Sequence, residues 1–376
     1  MANTITAVTP KLLAMGLLAL RQNCVLPQIV NRRYEALAGG RGSTIDVPIP
    51  SAIAAADVAP GATPPSTADI APTSVPIAMS NWKEAAFYLT DKDRLEIMNG
   101  VIPMQASEAL KGLSNAVEAS IFALMAKFYG YVGTAGTTPL ATGTQDATDA
   151  RKVLNLQLAP LDDRRLVMDP SMEANALNLR AFQDMSWSGD ARAIIDGKIN
   201  RRFGFDWWMS QQVPSHTAGT AASATTNNAG YAAGVKTVTL ASAGTGTFVV
   251  GDIITFAGHT QTYVITSGDA DVSNGGTISF EPGLQVALAA STIAITRKAT
   301  HVLNSAFHRD AIAFATRPLE EVDPGLGSIV SSAVDPVSGL TLRLEVTREH
   351  KRTRWSFDIL WGCEVVRREL GVRIAG

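Results

Sequence analysis

The stretch 217–296 limits what the rest of the chain can be. It holds one basic residue, Lys236, and four acids, Asp252, Asp269, Asp271 and Glu281, in a background of Thr, Ala, Gly and Ser. Five short segments in it, VKTVTLA, FVVGDIITFAG, QTYVITSG, GTISFEPG and STIAITR (the last running one residue past its end), are rich in β-branched and aromatic residues, with Gly and Asp between them. Short strands at such tight intervals predict a small antiparallel barrel or sandwich. The sequence changes character on both sides, so this module is expected as an insertion at 217–298 in a larger host.

The host has one strong helix. Residues 94–129 place Leu110, Leu113, Val117, Ile121, Leu124 and Phe128 at three- and four-residue steps, and Gly130 follows to stop the helix. Beyond it, 145–210 alternate patterns: a helix capped at Thr144 over TQDATDARKVLNLQLAP, a strand at RRLVMDPS, a helix at MEANALNLRAF and short strands around Gly197. Asp162, Asp163, Arg164 and Arg165 are expected in a surface turn. After the insert, LNSAFHRDAIAFAT is predicted helical. The last segment is all strand, with Leu342, Leu344 and Val346 alternating, then Trp355, Phe357, Ile359 and Trp361, and EHKR turning between them. CEVVRRELGVRI is expected to finish that sheet, which needs a cover, and the long helix is the natural one. The fold class is α+β.

The beginning of the chain differs in kind. The apolar run from Leu12 to Leu20 has only Lys11 before it and no small-residue cleavage pattern after it, so it is expected as a helix rather than a secretion signal. Thr9 is placed to cap it, with Pro10 in the first position. No stretch reaches the ~18 apolar residues of a membrane span; a soluble chain made in the cytoplasm is expected, with no membrane partner. The arm's helical pattern runs over 9–37, breaks at Pro27 and ends at GGRGS. Then Ile45, Val47 and Ile49 alternate in a strand whose prolines confine it to an edge. Residues 51–73 carry four prolines and little apolar bulk, before Val75, Ile77 and Met79 resume one face of a strand. Such a projecting hairpin lacks the mass to order itself and is expected to lie on a neighbouring copy.

Charged residues make up only 18% of the chain, against roughly 25% in ordinary soluble domains. That suits surfaces that meet other copies, because interface centres are depleted of charge. The net charge of −2 provides no basic field for wrapping nucleic acid. Five histidines are scattered without metal-ligand spacing, and Cys24 and Cys363 lie near opposite ends, expected as buried thiols in a reducing compartment, with a disulfide between them left open. GGRG at 39–42 lacks the flanking strand and helix of a phosphate site and is expected to act as a hinge. FHRD at 307–310 lacks the downstream Asn of a catalytic loop. TREHKRTR at 347–354 is a basic cluster, expected as a solvated hairpin tip, with contact to packaged DNA or an acidic neighbour as the sharper alternative. No enzymatic activity, cofactor or metal is expected.

The order of elements resembles one family. TPKLLAMGLLALRQNCVLPQIVNRRYE, GSTIDVPIPS with its hairpin, the helix to Phe128, IDGKINRRFGFDWWMSQQVP, GDIITFAGHTQTYVIT with TISFEPGL, and LNSAFHRDAIAFATRPLE follow one another along the chain. They resemble the arm, extended loop, spine helix, axial stretch, inserted β-barrel and return segment of HK97-fold major capsid proteins of tailed double-stranded DNA phages, in the P-twenty-two-like coat branch. The resemblance implies an N-terminal arm at 1–42, an extended loop at 43–93, a peripheral domain from 94–144 and 320–376, an axial domain from 145–216 and 299–319, and the inserted β-barrel at 217–298. It implies a coat protein that self-assembles into pentamers and hexamers as the icosahedral head of a virion. The portal protein at one vertex, weakly held double-stranded DNA and a decoration protein are the partners it suggests. Because the match begins at the first residues, a separate scaffolding protein is expected. Assembly contacts are expected at Arg32, Arg33 and Arg41 of the arm, and at Asp46, Trp82, Lys83, Glu84, Asp91, Lys92 and Asp93 of the extended loop. Two alternatives remain. An encapsulin-like nanocompartment shell is disfavoured by the insert, and a secreted β-rich surface protein by the missing signal and the amphipathic helix.

Overall fold

The computed structural model describes residues 24–35, 44–50, 53, 55, 60, 70–92, 101–184, 192–319, 328–334 and 340–376. Of the helical arm expected over 9–37, residues 9–23 and 36–37 lie outside the described residues, as do the GGRG hinge and most of the hairpin tip. The described chain divides into two compact units, one built from 31–113 and 313–366, the other from 24–30, 114–312 and 367–376. The long helix, Val101–Met125, contributes to both. All six stripe residues expected for it, Leu110 through Phe128, are buried.

In the first unit, the strands Ile312–Thr316, Arg352–Val365, Thr341–Glu349 and Ser328–Val334 follow one another in a sheet, and Asn81–Thr90 also pairs with Arg352–Val365. Register sets Phe357 opposite Leu344 and Trp355 opposite Val346, so the alternation in both strands falls on one buried face. Phe87 stacks on Trp355 there, centroids 6.5 Å apart. Glu349 pairs with Arg352, which leaves His350 and Lys351 as a two-residue turn. Lys351 takes the left-handed backbone, φ 55°.

The projecting hairpin begins in this unit. Thr44–Ile49 pairs antiparallel with Thr73–Ala78, Ile45 opposite Ile77 and Val47 opposite Val75. Its root is better ordered than the sequence suggested. Ile45, Val47, Ile77 and Met79 are buried against Ala313 and Ala315, with Tyr34 and Val366 alongside. Small alanines on the facing strand let the hairpin approach closely, and no local pattern reveals that pairing of distant segments.

The second unit is organised on a six-stranded sheet in the order Gly130–Gly133, Gly371–Ala375, His301–His308, Arg164–Met168, Asp206–Met209, with Ser215–His216 also beside His301–His308. The outer pairs are parallel and the inner ones antiparallel. LNSAFHRDAIAFAT is not the predicted helix. It forms two strands, His301–His308 and Ile312–Thr316, around a 3₁₀ turn at Arg309–Ala311, whose amide at Asp310 donates to His308 Nδ1 at 3.2 Å. His301–His308 is central in its sheet and buried along nearly its whole length, so polar alternation is lost and the apolar run imitates a helix. CEVVRRELGVRI likewise divides. Arg352–Val365 ends in the first unit's sheet, and Gly371–Ala375 pairs in this one. Of the expected surface turn, Asp162 and Asp163 are exposed but Arg164 is buried and opens a strand.

The insert contains a strand in each of its five predicted segments. They run in the order Ile295–Arg297, Ile253–Phe256, Tyr263–Ser267, Thr277–Glu281, Thr237–Thr239, all antiparallel. The expected barrel does not close. Its two outer strands are three residues each and do not pair with one another. Thr225 and Thr226 pass between them on isolated bridges, to Ala294 on one side and Leu240 on the other. Closure needs strands long enough to tilt and stagger around an axis, and these are too short. The insert's core is self-contained: Phe256, Tyr263 and Phe280 pack ring on ring, with Val238, Ile254, Ile265 and Ile278 around them.

Candidate assembly surfaces

Leu26–Ile29 is a four-residue helix, too short to persist alone. Side chains hold both its ends. Glu118, from the long helix, accepts from the Val25 and Leu26 amides at 2.6 and 3.3 Å and from the Ser210 hydroxyl at 3.2 Å. At the other end, Arg165 Nη1 donates to the Gln28 carbonyl at 3.3 Å and Arg309 Nε to the Val30 carbonyl at 3.4 Å. An anion at the start and cations at the finish both suit the helix dipole. Burial raises the pKa of the Glu118 carboxyl, and the donated hydrogen bonds pull it back. The neighbouring Cys24 thiol is pushed up to about 12 by burial and then by Glu118, so it is unreactive, and neither cysteine is in a disulfide. These residues were not among those expected at contacts. An acid on the stripe of Leu110, Ser114 and Ile121 was the available signal.

The predicted contact residues fall into three groups. Arg41 and Asp93 lie outside the described residues. Arg32 is turned inward, bonded to Glu35 and 5.4 Å above the Phe314 ring. The others lie at the surface, and Arg33, Asp46, Lys83 and Lys92 are exposed. Trp82 is 62% exposed even though its indole N–H donates to Asp358 at 3.0 Å. Asp358 also accepts from Arg343 Nε and Nη2 at 3.0 and 2.6 Å, a bidentate pair. Glu84 accepts from Arg354 at 2.5 Å and Asp91 from Arg348 at 2.7 Å. With Arg352 paired to Glu349, the arginines of the 347–354 cluster are engaged inside their own sheet.

A second polar cluster, absent from the sequence reading, joins the insert to its host sheet. Asp252 is wholly buried. It accepts from Gly219 and Val249 amides at 3.1 and 3.0 Å and lies 3.0 Å from His216 Nε2. Arg373, also wholly buried, donates to the carbonyls of Gly251 in the insert and Ala126 after the long helix. Burial lowers the Arg373 pKa to about 9, against the opposing pull of Asp252. His301 stands edge-on to Tyr131, centroids 5.3 Å apart, and 5.6 Å from His216. Its Nδ1 is 2.8 Å from the Ala299 carbonyl and must donate to it, and burial lowers its pKa to about 4. Tyr129, Ile253 and Val264 pack beside this cluster, and the Thr262 hydroxyl donates to the Tyr129 carbonyl at 2.6 Å. The arrangement attaches one lobe to another, with the acceptor positions of Asp252 filled by its surroundings.

Near that junction a cleft of about 890 Å³ opens among Tyr129–Gly133, the helix Gln145–Leu156 and insert residues Thr260–Thr262, Gln285 and Lys298. Leu156 and Leu158 line it yet are 73% and 88% exposed. Leu158 adopts φ 58°, a costly conformation for a branched residue. The loop is fixed by the Ala159 amide on the Leu154 carbonyl and by buried Arg164, which donates to the carbonyls of Ala159 and Pro160 at 2.7 and 2.6 Å. Among the described residues no His, Cys, Asp and Glu cluster is placed to hold a metal ion, and no helix is long and apolar enough to cross a membrane.

The fold has counterparts among solved structures. A chain of Mycobacterium phage Che8 matches with a TM-score of 0.53 at 14% identity, covering 93% of this chain and 90% of its own. A chain in the capsid structure of the cyanophage P-SCSP1u matches with a TM-score of 0.53 at 13% identity, covering 94% and 88%. No protein-family model matches the chain, and no curated protein matches it in sequence. At such identities the likeness establishes architecture. The chain shares its fold with these two chains along nearly its whole length.

Proposed function

We propose that this chain is the major capsid protein of a tailed double-stranded DNA phage, of the HK97 fold and its insert-bearing coat branch. It assembles into pentamers and hexamers that form the icosahedral head, and its role in the virion is structural, with no catalytic step. The observation that carries this reading is the match to the cyanophage capsid chain over 94% of this chain and 88% of that one. The exposed Trp82 and the low charge content are consistent with surfaces made to be covered by copies of the same chain. The engaged arginines at 347–354 favour a container that touches DNA weakly, since tight binding needs cations free for phosphates. A separate scaffolding protein, a portal at one vertex and a decoration protein are the further partners of this reading.

The test is expression alone and with the adjacent scaffolding gene, followed by sedimentation and negative-stain microscopy. Closed uniform shells are expected. A stable compact monomer under both conditions contradicts the proposal. Particle contents decide between this reading and a nanocompartment: nuclease-protected DNA belongs to a phage head, an enclosed protein cargo to the alternative.

A further inference from the structure

The strand Asn81–Thr90 pairs with Arg352–Trp361 along its whole length, ten residues in unbroken register. Among the described residues no strand pairs with its other edge. Open edges are ordinarily kept short, or are blunted by proline, a bulge or charge. This one is long and straight, without proline or bulge, and Lys83 is its one lysine. Trp82, Glu84, Ala86, Tyr88 and Thr90 all stand exposed on one face of it. The backbone N–H and C=O groups of such an edge are matched by a second extended strand.

We propose that Asn81–Thr90 pairs antiparallel with the same strand of a second copy, about a two-fold axis at Ala86. An axis perpendicular to the sheet keeps each face on its own side, so even positions meet even ones and odd meet odd. Charge then selects the register. Centred on Lys83 or Glu84, the pairing sets a charge directly against its own copy, which is unfavourable. Centred on Ala85, Glu84 meets only Ala86. Centres beyond Ala86 shorten the paired length. Centred on Ala86, Glu84 of each copy lies opposite Tyr88 of the other. The Arg352 guanidinium sits over that Tyr88 ring, 4.4 Å from its centroid. Arg352 and Glu84 are both about half exposed, so each can meet a charge from outside. The contact thus brings acid to base twice, once on either side of the axis, and alanine on alanine at the centre lets the strands approach. It deepens the shell reading and rests on it: a closed shell needs contacts that join one ring of subunits to the next, and a self-complementary two-fold patch supplies one.

The experiment introduces Ala86→Cys into the full chain, assembles it, oxidises it and reads the products on non-reducing gels. The unmodified chain, Ala85→Cys and Thr90→Cys serve as controls. Directly opposed residues of an antiparallel pair have Cα atoms roughly 4.5–5.5 Å apart, within reach of a disulfide. Covalent dimers, without a longer ladder, are expected from Ala86→Cys alone. In parallel, Glu84→Gln is expected to raise the protein concentration needed for assembly by about fivefold, the upper range for an exposed ion pair, with the circular dichroism of the dilute chain unchanged. Dimers from Ala85→Cys or Thr90→Cys in place of Ala86→Cys overturn this register. Normal shells from every variant, with no dimers and no response to Glu84→Gln, overturn the contact and leave the shell reading standing. No shells from the unmodified chain overturn the shell reading itself, and this contact with it.

Discussion

The insert and the projecting hairpin are both β-structures attached to a host, and they are stabilised in opposite ways. The insert has its own core, a three-ring cluster of Phe256, Tyr263 and Phe280 enclosed by aliphatic side chains from its own strands. The hairpin root buries Ile45, Val47, Ile77 and Met79 against alanines of another strand. A lobe with its own core folds as a unit and needs only fastening. A hairpin with a shared core depends on the strand that lends it. The insert's weak point is therefore its attachment, and the hairpin's is its root.

The largest effect is expected from Phe280→Ala. Removing a buried ring costs about 3–5 kcal/mol, and amides across the insert should lose hydrogen-exchange protection together while those of Val101–Met125 keep theirs. Loss confined to the residues touching the ring breaks the claim that the insert is one cooperative unit.

The next effect is acid sensitivity at the attachment. His301 is neutral in the folded chain, with its pKa lowered to about 4, while the unfolded chain binds its proton near pH 6.5. The contribution is therefore fully present above about pH 6.5, falls as the unfolded state takes up protons, and is exhausted below about pH 4, a span worth about 3 kcal/mol. His216, Asp252, Arg373 and Tyr131 surround this group, whereas the buried residues described at the hairpin root, Ile45, Val47, Ile77 and Met79 with Ala313 and Ala315, are all apolar. Denaturant midpoints measured between those pH values should fall in the wild type and flatten in His301→Phe. Equal slopes in both remove His301 as the cause.

Ile77→Ala comes third. It should cost about 2 kcal/mol, the low end for such a deletion, because a shallow site beside alanines collapses readily. Exchange should quicken in 44–49 and 73–78 without reaching the insert. The smallest effect is expected from Glu84→Gln. Its pair with Arg354 is part-exposed on both sides, so stability should change by less than about 1 kcal/mol, and a larger drop shows that the polar face of that sheet acts as a network.

Patterns confined to one segment were legible from sequence. The long helix's stripe, the strands of the insert and the alternation from Leu342 to Trp361 each have one wet side and one dry side, and period alone reveals them. His301–His308 is dry on both sides, so its period vanished and the wrong element was inferred. Closure of the insert depended on the lengths of its outer strands, which composition does not encode. The contact clusters were hidden for a different reason. Glu118 meets Val25, and Arg373 meets Gly251 and Ala126, pairs separated by most of a domain in sequence and marked locally only by a single charge in an apolar run. Of the residues expected at contacts, those on Asn81–Thr90 lie on a surface strand, whereas Arg32 has its partners within its own unit.

The clamp on Leu26–Ile29 bears on how a lineage of such chains changes. The bonds that fix it are supplied by Glu118, Arg165 and Arg309, all encoded far downstream. Substitution at any one of these three distant positions therefore reaches a segment near the other end of the chain, and leaves a backbone group there to find another partner.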